Sequence, residues 1–220
     1  MKIALLGTGK TGSKVMEIHD DVVGFNTGHP PSVEKLKICD VAVSFLPGDA
    51  LVSYLDILME SRIPVVTGST GVDWPEEFEE RLKEEGLTWI EASNFSLGMI
   101  VVREMIEKMA SLDDLFDDGS FRIHEIHHKH KTDAPSGTAL SWGEWLDREA
   151  EITSERKGDE VGYHEIRFDC ADETITLSHQ AKDRTIFARG AVRAAEMIHG
   201  EDLESGLLDF SVLVKEKFKI

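Results

Sequence analysis

The sequence predicts an α/β protein in two parts, a parallel sheet flanked by helices followed by a smaller α+β region. Three observations predict it. Short apolar runs alternate with helix-like stretches from Met1 to Ser96, and three of these runs end in glycine-rich or polar loops. Beyond Leu112 the pattern changes to period-two alternation around a tight turn. Continuous apolar runs suit strands buried on both faces of a parallel sheet, whereas alternation marks antiparallel strands with one covered face.

Lys2–Leu6 reads as a buried strand and Thr11–His19 as the helix after it. Between them Gly7-Thr8-Gly9-Lys10-Thr11-Gly12 has the form G-x-G-x-x-G. In that setting Gly7 allows a tight turn, Gly9 lets the backbone approach a pyrophosphate, and Gly12 permits close helix–strand packing. A nucleotide-triphosphate loop would need a glycine where Ala4 stands. The expectation is a Rossmann-like dinucleotide-binding domain.

Val22–Phe25 and Val41–Phe45 read as the next strands. Asp49–Glu60 carries Leu51, Tyr54, Leu55, Leu58 and Met59 at helical spacing. Pro64–Thr67 is a short strand entering Gly68-Ser69-Thr70-Gly71. Trp74–Glu85 is a charged helix, and Thr88–Glu91 is a strand entering Ala92-Ser93-Asn94-Phe95-Ser96. Ligands of such sheets bind beyond the carboxyl ends of the strands, so these loops should share one crevice.

Leu97–Leu112 reads as a helix, Asp113–Gly119 as an acidic loop and Phe121–His128 as a strand. Ser136–Arg148 is a helix. Tyr163–Cys170 and Thr174–Ala181 are strands joined by Ala171-Asp172-Glu173, and Ala191–His199 is helical. The predicted domains are 1–96 with 185–220, and 97–184.

The formal net charge of -18 excludes a nucleic-acid partner, because phosphates are repelled. No apolar run nears the roughly 20 residues of a membrane span, and no signal segment opens the chain. Cys39 and Cys170 make no disulfide framework. A cytoplasmic enzyme with no membrane partner is expected.

The chemistry concentrates in His127–Leu140, HHKHKTDAPSGTAL. His127, His128, Lys129, His130 and Lys131 lie together, and their mutual repulsion calls for an anion. Pro135 then leads into Ser136, Gly137 and Thr138, which open a helix whose free N–H groups favour a carboxylate. Lys131 is the charge partner for that carboxylate. A metal is the rival reading, but the histidine spacing lacks an i, i+4 pair and no cysteine pair is near, so no metal is expected.

The run EIHHKHKTDAPSGTAL (Glu125–Leu140) resembles the signature E-x-H-H-x-x-K-x-D-x-P-S-G-T-A of the 4-hydroxy-tetrahydrodipicolinate (dihydrodipicolinate) reductases. VVTGSTG, EASNFSLG, GDEVGYHEIRF and FARGAVRAAEM resemble further segments of that family in the same order, so the likeness spans nearly the whole chain. The resemblance implies an NADPH- or NADH-dependent enzyme of diaminopimelate and lysine synthesis, acting on a cyclic dicarboxylate. It implies His127 as proton donor with Lys131 assisting, and His128, Ser136, Gly137 and Thr138 as substrate contacts. It implies that Gly68-Ser69-Thr70 and Ala92-Ser93-Asn94-Phe95 flank the nicotinamide; Phe45 is a further candidate beside it, and Arg184, ahead of Arg193, a candidate to reach the cleft. It also implies a homotetramer joined through the second domain.

The chain departs from the pattern in three places, one being a trimmed stretch between the second and third strands that leaves it shorter than many members. Its glycine loop is one residue shorter than the common form, with Lys10 where arginine is frequent. The segment after the second strand, Gly24–His29, carries no carboxylate to bind the adenosine ribose. Asn26 would not repel a 2′-phosphate as a carboxylate would, so NADPH should serve at least as well as NADH. The competing readings are another two-domain dehydrogenase and a non-catalytic dinucleotide sensor. Neither needs the joint presence of His127 and Lys131.

Overall fold

Leu6, Phe25, Ala42, Val65 and Trp89 come from five strands, and all are buried in one cluster with Leu51, Leu58 and Leu82. The computed structural model describes all of Met1–Ile220. The chain divides into two compact units, Met1–Leu97 with Arg184–Ile220, and Gly98–Asp183.

In the first unit β1 (Ile3–Leu6) leads to α1 (Gly12–Ile18), β2 (Val22–Phe25), the single turn α2 (Val33–Leu36) and β3 (Val41–Ser44). Then follow α3 (Gly48–Val52), α4 (Leu55–Ser61), β4 (Val65–Thr67), α5 (Phe78–Glu85) and β5 (Thr88–Glu91). With β10 (Gly206–Asp209) from the end of the chain, the six-stranded sheet has the order β10-β5-β4-β3-β1-β2, every pair parallel. Strand order reverses between β1 and β3, the position at which open α/β sheets bind ligands. Alternate side chains Ile3, Leu5 and Val43 are fully buried as well. Each fully buried Leu, Ile or Val contributes about 1.5–3 kcal/mol, which is why the strands read as unbroken apolar runs.

In the second unit α6 (Leu97–Met109) begins at the boundary and ends in a 3-10 turn, Ala110–Asp114. β6 (Ser120–His127), α7 (Gly137–Leu146), β7 (Ala150–Arg156), β8 (Gly162–Asp169) and β9 (Thr174–Ala181) follow. The sheet order is β7-β6-β8-β9, antiparallel except for β6 with β7. Phe121, Ile123, Ile166 and Phe168 pack one face against Trp142 and Leu146 of α7 and Val102 and Ile106 of α6. The chain then returns through α8 (Thr185–Gly200), β10 (Gly206–Asp209) and α9 (Phe210–Phe218), which complete the first unit.

Several elements differ from expectation. The helix expected over Asp49–Glu60 is two helices, because Ser53 Oγ donates to the Ala50 carbonyl at 2.7 Å and competes with the helical ladder. The helix expected from Trp74 starts only at Phe78. Pro75 and a left-handed Glu77 precede it, while Trp74 stacks on Phe78 and donates to Glu91. The final strand of the histidine motif stops at His127, so His128 lies beyond it. The helix expected at Ala191 starts at Thr185. β7, β10 and α9 were not anticipated, and both strands lie at sheet edges with few apolar residues to mark them.

Candidate active site

The loop Gly7–Gly12 follows β1 beside the switch point. Gly7 has φ 91°, and a Cβ on Gly12 would come 1.9 Å from the Gly7 carbonyl oxygen. The turn and the helix start are therefore pressed together, as close packing of that helix requires. A Cβ on Gly9 would meet nothing within 4 Å, which leaves its backbone open to a ligand. Thr8 and Thr11 are half-buried and Lys10 is exposed. After β2, Asn26 Oδ1 accepts from Gly28 N at 2.9 Å and His29 N at 3.1 Å, closing a tight turn, and His29 stacks on Phe25.

At the carboxyl ends of β4, β5 and β10 lies a cavity of about 320 Å³ lined by Ser69, Thr70, Trp74, Glu91, Ser93 and Asp209. Ser69 Oγ lies 3.1 Å from Ser44 Oγ, which ties this loop to the end of β3. Gly68 faces Phe45, whose ring a Cβ would approach to 2.5 Å. Burial raises the Glu91 carboxyl above its usual range, against the donation from Trp74. Ala92 and Asn94 are half-buried and Ser93 is exposed. Phe95 is 1% exposed and packs on Phe210 and edge-on to Phe45, so its ring anchors the loop from within. Arg184 caps α8. Arg193 pairs with Glu196 and lies over the Phe218 ring, a role on the helix surface.

In the second unit the alternation of β6 turns Phe121, Ile123, Glu125 and His127 inward. His127 Nδ1 hydrogen-bonds Glu125 Oε2. The other carboxylate oxygen, Oε1, accepts from Arg156 at 2.8 Å and from the Ser136 amide at 3.2 Å. Burial alone would raise the Glu125 carboxyl, but the hydrogen bonds from Arg156, His127 and Ser154 outweigh it and hold it at about 2. His164 is the cross-strand partner of Glu125, and its Nε2 lies 3.1 Å from Ser136 Oγ. Burial, aided by nearby His127, lowers the His164 imidazole to about 4, so it is neutral near pH 7. The His127 and His164 rings meet edge to face with centroids 5.0 Å apart.

Ser136 is the N-cap of α7: its hydroxyl accepts from Ala139 N at 3.2 Å, and the residue is 2% exposed. Gly137 is exposed and Thr138 half-buried in the first turn, where backbone N–H groups have no intrahelical partner. The basic run is not a cluster of bare cations. Lys131 Nζ meets both oxygens of Asp133 at 2.8 Å, and Arg156 bridges Glu125 to the Asp133 carbonyl at 2.5 Å. The repulsion expected from the sequence is thus offset within the protein. His128 is half-buried and His130 exposed, their ring centroids 6.4 Å apart.

Ligating atoms of Glu125, His127 and His164 lie within 4.8 Å of one another, close enough for a metal to bridge. The lone pairs a cation needs are already engaged by His127 Nδ1, Arg156, the Ser136 amide and Ser136 Oγ, with a guanidinium on the same carboxylate. The donor set suits a hydrogen-bond network better than a cation. Glu125, Arg156 and His164 were not singled out from the sequence. The signal for Glu125 was available: a carboxylate at an inward position of an alternating strand needs a buried partner.

A sequence model of the family described as "Dihydrodipicolinate reductase, C-terminus" matches residues 98–213. The chain is 32% identical to a 4-hydroxy-tetrahydrodipicolinate reductase of Christiangramia forsetii, with 100% of both chains covered. It is 38% identical to the reductase of that name from Xanthomonas euvesicatoria pv. vesicatoria, over 74% of this chain and 68% of the relative. The fold is similar to that of a dipicolinate-bound dihydrodipicolinate reductase from Paenisporosarcina sp. TG-14, with TM-score 0.71 and 20% identity, covering 95% of this chain and 97% of that one. By its full-length identity, its C-terminal segment and its fold, the chain belongs to the 4-hydroxy-tetrahydrodipicolinate (dihydrodipicolinate) reductase family, whose members are NAD(P)H-dependent oxidoreductases.

Proposed function

We propose that the chain reduces 4-hydroxy-tetrahydrodipicolinate to tetrahydrodipicolinate in diaminopimelate and lysine synthesis. Each turnover takes one hydride from NADPH or NADH and one proton from the protein, and water leaves from the 4-hydroxy form. The observation that carries the reading is the linkage in the second unit. A histidine acid (His127), a lysine cation (Lys131) and the open first turn of α7 are joined through Asp133, Arg156, Glu125 and Ser136.

In this reading His127 delivers the proton through Nε2, the ring nitrogen that Glu125 does not engage. Lys131 exchanges Asp133 for a substrate carboxylate, and Gly137 and Thr138 supply donors to it. Ser136 acts by capping the helix that presents those donors, and His128 borders the same segment. The cofactor's pyrophosphate rests on Gly7–Gly12. The loops at Gly68-Ser69-Thr70 and Ala92-Ser93-Asn94-Phe95 hold the nicotinamide, whose bound form supplies the hydride. No helix is long and apolar enough to cross a membrane, which fits a cytoplasmic setting. A homotetramer assembled through the second unit belongs to the same reading.

The test is NAD(P)H oxidation with freshly generated product of the preceding synthase. His127→Gln should lower kcat on the order of 10²–10⁴-fold with little change in substrate affinity. A variant with wild-type turnover would move the donor role to His128. A wild-type protein that binds NAD(P)H but never oxidises it with this substrate would favour the sensor reading.

A further inference from the structure

One buried carboxylate touches both halves of the substrate apparatus. Glu125 is 0% exposed, and its two oxygens face different partners. Oε2 meets the ring of His127, while Oε1 receives the backbone amide of Ser136, the residue that caps α7. Arg156 adds its guanidinium to Oε1 at 2.8 Å, and the same nitrogen donates to the Asp133 carbonyl in the turn before the helix. An ionised carboxylate only accepts hydrogen bonds. The proton between Glu125 and His127 therefore sits on Nδ1, and the two ring nitrogens are distinct.

We propose that Glu125 is a positioning residue for the reduction: it locks the His127 proton on Nδ1, so that Nε2 alone exchanges the catalytic proton, and it fixes the helix start that receives the substrate carboxylate. Arg156 holds the carboxylate in place for both tasks. Gly162 belongs to the same device. A Cβ there would stand 3.0 Å from His127 Nε2 and 3.6 Å from His164 Cε1, so the glycine keeps clear the ring edge that must reach the substrate. His164 supports the arrangement from the neighbouring strand, neutral and bonded to Ser136 Oγ, without adding a second charge beside His127.

The inference rests on the reductase reading, and its test separates the two. Glu125→Gln cannot satisfy all its neighbours, because its single amide oxygen faces either His127 or the Arg156 and Ser136 donors. With the NH₂ toward His127, Nδ1 becomes an acceptor and the proton moves to Nε2. Nitrogen-15 NMR of the ligand-free protein should therefore show the His127 tautomer inverted in E125Q and unchanged in Glu125→Asp. This readout needs no substrate, so it judges the lock even if the wild type proves inactive on the proposed substrate.

With active wild type, E125Q should lose kcat by about 10²–10⁴-fold, because the imidazolium that donates from Nε2 loses its carboxylate counter-charge and Nδ1 no longer keeps the remaining proton, and E125D should recover part of it. In a His127→Gln background the same E125Q change should cost less than about threefold in kcat, because the proton-donor task of Glu125 is already gone, and what remains is a rise in KM through the start of α7. Equal losses in both backgrounds, or an unchanged tautomer in E125Q, would overturn the proposal. Should E125Q not fold, Gly162→Ala gives an independent reading. It alters no ionisable group, so it should lower kcat while leaving the Nδ1 proton in place, and full activity in G162A would refute the role given to the open Nε2 edge.

Discussion

Lys131 and Asp133, two residues apart in the turn after β6, form a two-pronged ion pair with Nζ 2.8 Å from each carboxylate oxygen. The cation that should meet the substrate is thus satisfied internally before any substrate arrives, and binding becomes an exchange of one carboxylate for another. Lys131→Met should lower kcat and raise KM together, since the charge acts in both ground and transition states. Thr138→Val should chiefly raise KM. Neither should change NAD(P)H affinity, measured by fluorescence, because the dinucleotide loops belong to the other unit. Asp133 is exposed and Lys131 reaches solvent in part, so melting temperatures should move little.

Acid should weaken the fold in two successive windows, each with its own residue. The folded-state pKa of His164 is depressed from 6.5 to about 4, mainly by burial. An unfolded chain takes up that proton first, so stability is full above 6.5 and is lost as pH falls toward about 4. The loss is about 3 kcal/mol from this group. Glu125 is depressed from 4.5 to about 2, so its contribution is present above 4.5 and disappears as pH falls through about 2. Urea unfolding of the wild type and of His164→Gln at pH 7 and pH 5 should show the upper window flattened in the variant. An equal slope in both proteins would remove His164 as its source.

Cofactor preference should turn on Asn26. Its Oδ1 accepts from two backbone amides, and an aspartate oxygen could accept from both, so Asn26→Asp should keep the turn intact. The added charge should repel a 2′-phosphate and move the preference toward NADH. Steady-state kinetics with both cofactors will decide. A wild-type preference for NADH of about a hundredfold, some 2.7 kcal/mol, would place discrimination outside Gly24–His29.

The glycine loop offers a contrast between two substitutions. Gly12→Ala forces a Cβ to 1.9 Å from the Gly7 carbonyl oxygen, so both stability and NAD(P)H affinity should fall, the former by about 1–3 kcal/mol or more. Gly9→Ala meets nothing in the protein and should fold normally, yet weaken NAD(P)H binding by crowding the pyrophosphate. Thermal unfolding with and without cofactor separates the two effects.

The residues of β1, Gly7–Gly12 and β3 to β5 announced the parallel sheet, because strands buried on both faces must be apolar throughout and their loops must carry the glycines. His127–Thr138 announced the proposed substrate segment for a similar local reason: a turn, a helix cap and a cation lie within a few residues of one another. Period-two alternation also showed that His127 faces inward, but not what it faces. Its partners Arg156 and His164 arrive from β7 and β8, set by strand register. Register depends on which strands pair, and the polar edge strand β7 gave no apolar pattern to reveal it. Ser136 likewise reads as a plain helix cap. Only the folded sheet brings Glu125 under its amide and His164 against its hydroxyl, so tertiary structure decided that one buried carboxylate would contact both the proposed proton donor and the cap of the helix proposed to receive the substrate.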